Sequence, residues 1–312
     1  MNILREIEAL AGVAGPVVLA VGVFDGVHLG HQAVLARALA DAERLGGTAV
    51  ALTFDPHPAK FLRPGAAPRL LTATTHKLRL IGRVGIRHVL VLPFDARIAS
   101  MEGCEFLEHL ATCSNPLGGI VVGSGWRFGA RRSGTVDLIR EVGRQKNFEA
   151  VEIPAVDMGG VPVSSTRIRA DVEAGNLAAA AACLGRPFEI FGTVVRGRQL
   201  GRQLGFPTAN LHTHNEQFPP DGVYAGRAVH AHWNHACVVN IGLRPTVNDG
   251  TERTLEAHIP GFHGDLYGSE LTVVFDRFLR SEKKFTSLDA LKEQIRLDVA
   301  HAMAGGAPKP GS

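Results

Sequence analysis

Pro16-Val17-Val18-Leu19-Ala20-Val21, running into Gly22-Val23-Phe24-Asp25-Gly26-Val27-His28-Leu29-Gly30-His31, decides how the first half of this chain folds. The apolar, β-branched run at 17–21 reads as a buried parallel strand. Over 32–45, Val34, Leu35, Ala38, Leu39, Ala42 and Leu45 recur at helical spacing. Strand, glycine-rich turn and helix together aim unpaired backbone N–H groups and a helix dipole at an anion. His28 and His31 frame the helix start three residues apart, so both imidazoles can lie on one side of its first turn and donate to phosphate oxygens. A strain-relieving turn with surface histidines is the plainer account. Two histidines around a glycine at a helix N-terminus favour a nucleotide-phosphate site formed by Gly22, Phe24, Asp25, Gly26, His28, Gly30 and His31.

The same alternation continues along the chain. Strands are expected at 48–54, 88–92, 119–122 and 150–153, with helices at 74–84, 103–113 and 135–145 and an alanine-rich helix over 166–184. That order implies a doubly wound parallel sheet, whose ligands sit beyond the carboxyl ends of the strands. Gly185-Arg186-Pro187 then breaks the helix. Beyond it the strands are short (188–196, 222–230, 235–241, 253–258, 271–279), turns are frequent, and no helix is expected before Ser287. This half reads as an antiparallel barrel or sandwich. Ser287 is the expected N-cap of a terminal helix with Leu288, Leu291, Ile295 and Val299 on its apolar face. The domain boundary is placed near Gly185, giving domains 1–184 and 185–312.

Composition narrows the class. The 312 residues suffice for two domains, and 45% hydrophobic with 20% charged residues describes a soluble globular protein. A net charge of +3 without a basic run argues against nucleic acid but is compatible with a polyanionic small ligand. Cys104, Cys113, Cys183 and Cys237 are scattered without metal-site spacing, which suits reduced thiols in a cytoplasm. Met1-Asn2-Ile3-Leu4-Arg5-Glu6 lacks the layout of a signal peptide, no apolar run reaches membrane-spanning length, and residues 305–312 are expected to fray. No oligomeric state follows from the sequence.

Further chemistry-bearing stretches fall in order. Thr53-Phe54-Asp55-Pro56-His57-Pro58 closes the second strand, where the X-Pro pairs force an extended exit. In Val163-Ser164-Ser165-Thr166-Arg167-Ile168-Arg169, the serines suit a helix cap, whereas arginines in a first turn are misplaced unless an anion is near. In Gly201-Arg202-Gln203-Leu204-Gly205-Phe206-Pro207-Thr208-Ala209-Asn210-Leu211, Thr208 and Asn210 offer neutral oxygen ligands that suit Mg²⁺ arriving with a nucleotide. Glu256 lies in an alternating strand, where a carboxylate is equally at home facing solvent.

These stretches together resemble the bifunctional bacterial riboflavin kinase/FAD synthetases. The first is similar to the HxGH signature of the nucleotidyltransferase superfamily, in the longer form GxFDGxHxGH. Phe54-Asp55-Pro56-His57-Pro58 is similar to the family's FxPHP loop and 163–169 to its ISSTxIR motif. The run 201–211 resembles the riboflavin kinase ATP–magnesium loop, and Pro220-Asp221-Gly222-Val223-Tyr224-Ala225, 240–246, Leu255-Glu256-Ala257-His258, 265–268 and 278–285 follow in the family's order. The resemblance implies catalytic roles for His28, His31, Arg169 and Glu256, the last as the base that takes the proton of the ribityl 5′-hydroxyl. It implies ATP and phosphate contacts from the turn residues, from Ser164, Ser165, Thr166 and Arg167, and from Gly205, Pro207, Thr208 and Asn210. It implies Mg²⁺ on Thr208 and Asn210, and flavin contacts from His57, Pro58, Arg127, Phe128, Tyr224 and Arg280. One departure stands out: in Val121-Val122-Gly123-Ser124-Gly125-Trp126-Arg127-Phe128-Gly129, Gly125 replaces the acidic or amide residue of the family pattern.

The expectation is an enzyme that phosphorylates riboflavin to FMN and adenylylates FMN to FAD with ATP and Mg²⁺. FMN and FAD would then be substrate and product rather than prosthetic groups, with no nucleic acid or membrane partner. Two rivals remain: a kinase with a weakened adenylyltransferase half, motivated by Gly125, and a flavin- or nucleotide-responsive binding protein without activity. The second predicts erosion of His28, His31, Thr208, Asn210 or Glu256, and all five are present.

Overall fold

The computed structural model describes residues 1–197, 201, 204–231, 233–245 and 251–304. By packing, the chain divides into two compact units: Met1–Arg69 with Thr74–Ser165, and Leu70–Ala73 with Thr166–Ser312.

The first unit is built on β2 (Val17–Val21), buried at every residue as its apolar run requires. Its alternate side chains feed two cores. Val17, Leu19 and Val21 join one cluster with Ile7, Leu52 and Leu107, whereas Val18 and Ala20 join another with Leu35, Ile81 and Val89. β3 (Thr48–Asp55) and β5 (Leu117–Gly123) flank β2 in parallel. β4 (His88–Pro93) follows β3, and β6 (Glu149–Ile153) follows β5. A short edge strand, β1 (Asn2–Leu4), pairs with β4 and completes the order β1-β4-β3-β2-β5-β6. Three residues are too few for periodicity to reveal, so β1 has no counterpart among the expected strands. The chain moves one way from β2 through β3 to β4 and then returns to β2's other side at β5. The carboxyl end of β2 is therefore the topological switch point, where doubly wound sheets bind ligands.

The helices of this unit are α1 (Leu29–Arg44), α2 (Pro58–Leu62), α3 (Thr74–Arg83), α4 (Ala96–Ser100), α5 (Gly103–Cys113) and α6 (Val136–Lys146). α1 starts three residues earlier than its apolar spacing indicates, because the His28 side chain accepts from the His31 N–H and acts as the cap. Histidine is not among the usual capping residues.

The single helix expected over 166–184 is instead two, α7 (Ser165–Glu173) and α8 (Leu177–Leu184). Gly175, at φ +79°, ends the first of them, a conformation that only glycine adopts without strain. α8 ends at Gly185, also left-handed, at the expected break.

The second unit closes into a barrel, which settles barrel against sandwich. Its strands are β7 (Glu189–Val195), β8 (Thr208–Thr213), β9 (Gly222–His230), β10 (Trp233–Pro245), β11 (Thr251–His258) and β12 (Glu270–Arg280), in the closed order β10-β11-β8-β7-β12-β9. Closure pairs both edges of every strand and leaves none to aggregate. β8 was not expected, since Pro-Thr-Ala-Asn carries turn residues and only two flanking apolar ones. It exists because β7 and β11 pair with it on either side. The Ser287 hydroxyl accepts from the Ala290 N–H at 3.1 Å and caps α9 (Leu288–Ala304), as expected. The expectation of no helix before Ser287 is corrected at Gly201 and Leu204, both helical. Arg202, Gln203, Thr246 and the tail at 305–312 lie outside the described residues.

The buried amide of Asn215 ties this unit to its separate segment Leu70–Ala73. It donates to the Leu71 carbonyl and accepts from the Phe191 N–H at 2.9 Å. Glu216 and Gln217 donate their backbone N–H groups to the Leu70 carbonyl, and the Glu216 carboxylate accepts from the Leu70 N–H.

Candidate active sites

The first site lies at the end of β2. Between the strand and α1, the backbone takes positive φ at Phe24 (54°), Gly26 (83°) and Val27 (40°). Two of these are non-glycine and nearly fully buried, so the turn is held in a conformation it would not choose alone. What holds it is visible. Val27 N–H donates to the Phe24 carbonyl, Gln32 Nε2 donates to the Val27 carbonyl at 2.9 Å, and Ser165 Oγ donates to the Asp25 carbonyl at 2.9 Å. Gly22 is required by contact, since a Cβ there would meet the Phe24 ring at 2.9 Å.

The turn presents the two histidines stacked, with ring centroids 3.6 Å apart and planes inclined by 20°. His28 Nδ1 accepts from the His31 N–H at 3.4 Å, which leaves Nε2 to carry the proton of neutral His28. Phe24 packs edge-on against His31 at 5.3 Å. His31 Nδ1 is buried without a hydrogen-bond partner. Burial above all, then the proximity of His28 and Lys77, holds the His31 imidazole well below its ordinary pKa, so it is neutral at physiological pH.

Beside the turn lies a cavity of 340 Å³ walled by Phe54, Phe94, Trp126 and Phe128, with Pro58 and Arg127 also lining it. Three of the four residues expected to meet a flavin ring are therefore brought together. The fourth, His57, caps α2 instead, with Nδ1 accepting from the Ala59 N–H at 3.1 Å. Gly125 has φ +70° and open space around it. Ser165 belongs with the turn, whereas Thr166, Arg167 and Arg169 fall in the second compact unit, where Arg167 approaches Asp171 at 3.9 Å.

The second site is in the barrel. On β8 and β11, Asn210 pairs with Glu256 and Thr208 with His258, so the four side chains share one face. Thr208 Oγ1 donates to Glu256 Oε2 at 3.2 Å. Thr208 and Asn210 line two cavities. One, of 550 Å³, also takes Gly197, Pro207, Asp265 and Tyr267; the other, of 410 Å³, takes Glu256, Arg280 and Phe285. Glu256 opens onto the second cavity alone. A Cβ at Gly197 would collide with the Asn210 amide, so glycine there is a condition of the close approach.

Two expected flavin contacts are placed differently from each other. Arg280 lines the 410 Å³ cavity, its guanidinium fixed by Asp298 through Nη2–Oδ2 at 2.7 Å and Nε–Oδ1 at 3.0 Å. Tyr224 is corrected to a core residue. It is 1% exposed, packs edge-on against Phe275 and Phe278, and donates its hydroxyl to the Pro220 carbonyl at 2.6 Å. Burial pushes that phenol up to about 12. Asp298, 3% exposed on α9, lines the same cavity and is absent from the residues expected there. Its signal in the sequence is only an acidic residue amid a helical apolar face. Asn240 donates to Glu282 Oε1 at 3.2 Å beside the same cavity.

A glycine- and histidine-bearing turn at the switch point of a doubly wound sheet, followed by a barrel with a carboxylate on one of two adjoining cavities, is an architecture suited to a nucleotide-handling enzyme. The FAD synthetase family model matches residues 12–167, and the riboflavin kinase family model matches residues 184–305. A bifunctional riboflavin kinase/FMN adenylyltransferase of Pseudomonas fluorescens is 38% identical over 308 residues, covering 99% of each chain. The protein of the same description from Escherichia coli strain K12 is 37% identical over 90% of each chain. The chain belongs to the family of bifunctional riboflavin kinase/FMN adenylyltransferases. Among solved structures, a Streptococcus pneumoniae protein described as a macrolide-efflux protein aligns over 96% of this chain and 98% of its own, with a TM-score of 0.81 and 27% identity. Among the described residues here, no helix is long and apolar enough to cross a membrane.

Proposed function

We propose that this chain phosphorylates riboflavin with ATP and then transfers AMP from ATP to the FMN formed. The observation that carries this reading is the shared wall of the barrel: Thr208 and Asn210 border both cavities, while Glu256 borders one. The cavity with Glu256 suits the alcohol substrate, because a hydroxyl nucleophile needs a base within reach. The other suits the nucleotide, whose γ-phosphate then meets the alcohol at the shared wall.

Glu256 takes the ribityl hydroxyl proton as that oxygen attacks the γ-phosphorus, and ADP departs. The Thr208 hydroxyl and the Asn210 amide are neutral, hard oxygen donors one strand from a carboxylate, a set that fits Mg²⁺. When bound with the nucleotide, the ion supplies charge neutralisation on its phosphates.

In the first unit, the aromatic cavity takes the flavin ring and the His28–His31 turn takes phosphates. An FMN phosphate oxygen attacks the α-phosphorus of ATP, the bond to the β-phosphate breaks, and pyrophosphate leaves. No covalent enzyme intermediate is needed, only positioning and donors aimed at the developing charge. The Nε2–H of His28 and the amides of the first turn of α1 provide them. We place the functional division near Gly185, at the start of the riboflavin kinase match. The cytoplasm is the compartment we infer, since all four cysteines are free thiols.

Riboflavin, ATP and Mg²⁺ incubated with the purified chain should yield FMN and then FAD, separated by chromatography. Failure to form either FMN or FAD overturns the reading. FMN alone supports a second one, a kinase with a weakened adenylyltransferase, for which Gly125 is the motive.

A further inference from the structure

Lys77 sits near the start of α3 and is only 4% exposed, in a unit whose other cations reach solvent more freely. A lysine is almost never this buried unless paired, and a helix N-terminus is the wrong end for a cation. Its surroundings show what it does. Nζ donates to the Val23 carbonyl at 3.1 Å, to Thr53 Oγ1 at 3.2 Å and to the Phe54 carbonyl at 3.3 Å. An ammonium has three N–H donors, and all three are used. Thr53 Oγ1 also donates to the Val23 carbonyl at 2.9 Å, which closes a small network. Val23 opens the turn that carries His28 and His31, and Phe54 precedes the loop that carries His57 and Pro58. Strand pairing between β2 and β3 stops at Val21 and Leu52; β3 pairs on with β4 through Asp55, but beyond Leu52 no ladder joins its end to the turn that follows β2.

We propose that Lys77 is a positioning residue for AMP transfer: its buried ammonium clamps the two strand ends that carry the phosphate turn and the flavin loop, and holds a fixed positive charge beneath the transferring phosphates. The inference rests on the reading of the His28–His31 turn as the AMP-transfer site. Three titratable groups face the ammonium: Asp25 from the turn, Asp55 from the end of β3 and His31 from α1. Burial brings Lys77 down to about 8, against the pull of the two carboxylates. Loss of its proton removes the charge and one of the three donors.

The test is the pH profile of FAD formation from FMN and ATP by the full chain, with FMN formation from riboflavin measured in the same buffers. For the native protein, kcat/KM for AMP transfer should fall about eightfold between pH 7.5 and 9, following the protonated fraction of a group titrating near 8. Kinase turnover should lack that limb. Lys77→Met should lower AMP transfer by roughly 10–150-fold, the worth of a polar contact to a charged group, and flatten what remains against pH. Lys77→Arg keeps a charge that does not titrate, so it should restore part of the rate without the limb at pH 8. A flat native profile overturns the proposal, as does a folded Lys77→Met chain that transfers AMP at the native rate. If Lys77→Met does not fold, Lys77→Arg decides: a folded arginine variant that keeps the native limb near pH 8 overturns the proposal. His31→Ala separates the two readings: loss of FAD formation beside a flat native profile rejects Lys77 alone, whereas undiminished FAD formation rejects the site itself.

Discussion

Thr208 donates its hydroxyl hydrogen to Glu256 Oε2 at 3.2 Å across the pairing of β8 with β11. The bond orients the carboxylate toward the strand that borders both cavities, and it accepts only while Glu256 is ionised or presents its carbonyl oxygen. Glu256→Gln keeps the shape and the acceptor but removes the base. Riboflavin phosphorylation should fall by roughly 10²–10⁴-fold while AMP transfer to supplied FMN continues. Native kinase turnover in the variant would make Glu256 a structural residue.

Gly125 stands at φ +70° with nothing near its missing side chain. Space is therefore no obstacle to a side chain, but the backbone is. Gly125→Ala should destabilise the chain by about 1–2 kcal/mol, and Gly125→Asn by less, since asparagine tolerates the left-handed region. If a polar contact is what the glycine lacks, Gly125→Asn should raise FAD formation selectively. Rates and melting temperatures measured together decide it, and no gain at undiminished stability rejects the lost contact.

Lys77 and His31 tilt stability with pH in the same direction, over different ranges. For His31, held below its ordinary pKa, the unfolded chain binds the extra proton as pH falls through about 6.5, so stability declines toward acid. For Lys77 the folded value is about 8 against an ordinary 10.5. Between those values the unfolded chain keeps a proton the folded one has released, and stability rises with pH. The full effect is roughly 3 kcal/mol. Calorimetry at pH 8 and pH 10 should show the native chain gaining on Lys77→Met over that interval. The gain in stability would run against the loss of AMP transfer, which a purely structural lysine does not predict. An unchanged difference between the two proteins would contradict the burial argument.

The barrel should act alone, with one qualification from the structure. A fragment starting at Thr166 should still phosphorylate riboflavin, because Thr208, Asn210 and Glu256 all lie within it. It lacks Leu70–Ala73, whose carbonyls take up the Asn215 amide and the Glu216 and Gln217 N–H groups. Buried donors left without partners cost about 1–3 kcal/mol each, so its melting temperature should fall by several degrees relative to the barrel transition of the intact chain. A folded fragment without kinase activity would refute the assignment.

Much of this was legible along the chain because it is local. The β2 run is apolar at every position, the glycines and histidines after it are contiguous, and Gly185 ends a helix where glycine should. Those features depend on near neighbours, which is what periodicity and turn chemistry record. β8 was hidden for the opposite reason. Pro207, Ala209 and Asn210 around Thr208 are poor strand formers, and partners more than forty residues downstream on β11 make the run a strand.

Residue identity and spacing placed His28, His31, Thr208 and Asn210 among the candidates, and the family resemblance added Glu256; neither said which would meet. Only the tertiary structure set Tyr224 in the core, fixed Arg280 with Asp298, and put Lys77 beneath two loops that lie about thirty residues apart in the chain. A lysine on a helix gives no sign of burial in a sequence, because solvated and clamped ammoniums belong to the same residue type. What separates them is the set of carbonyls that long-range packing brings within 3.3 Å, and desolvation by the surrounding core then shifts the charge.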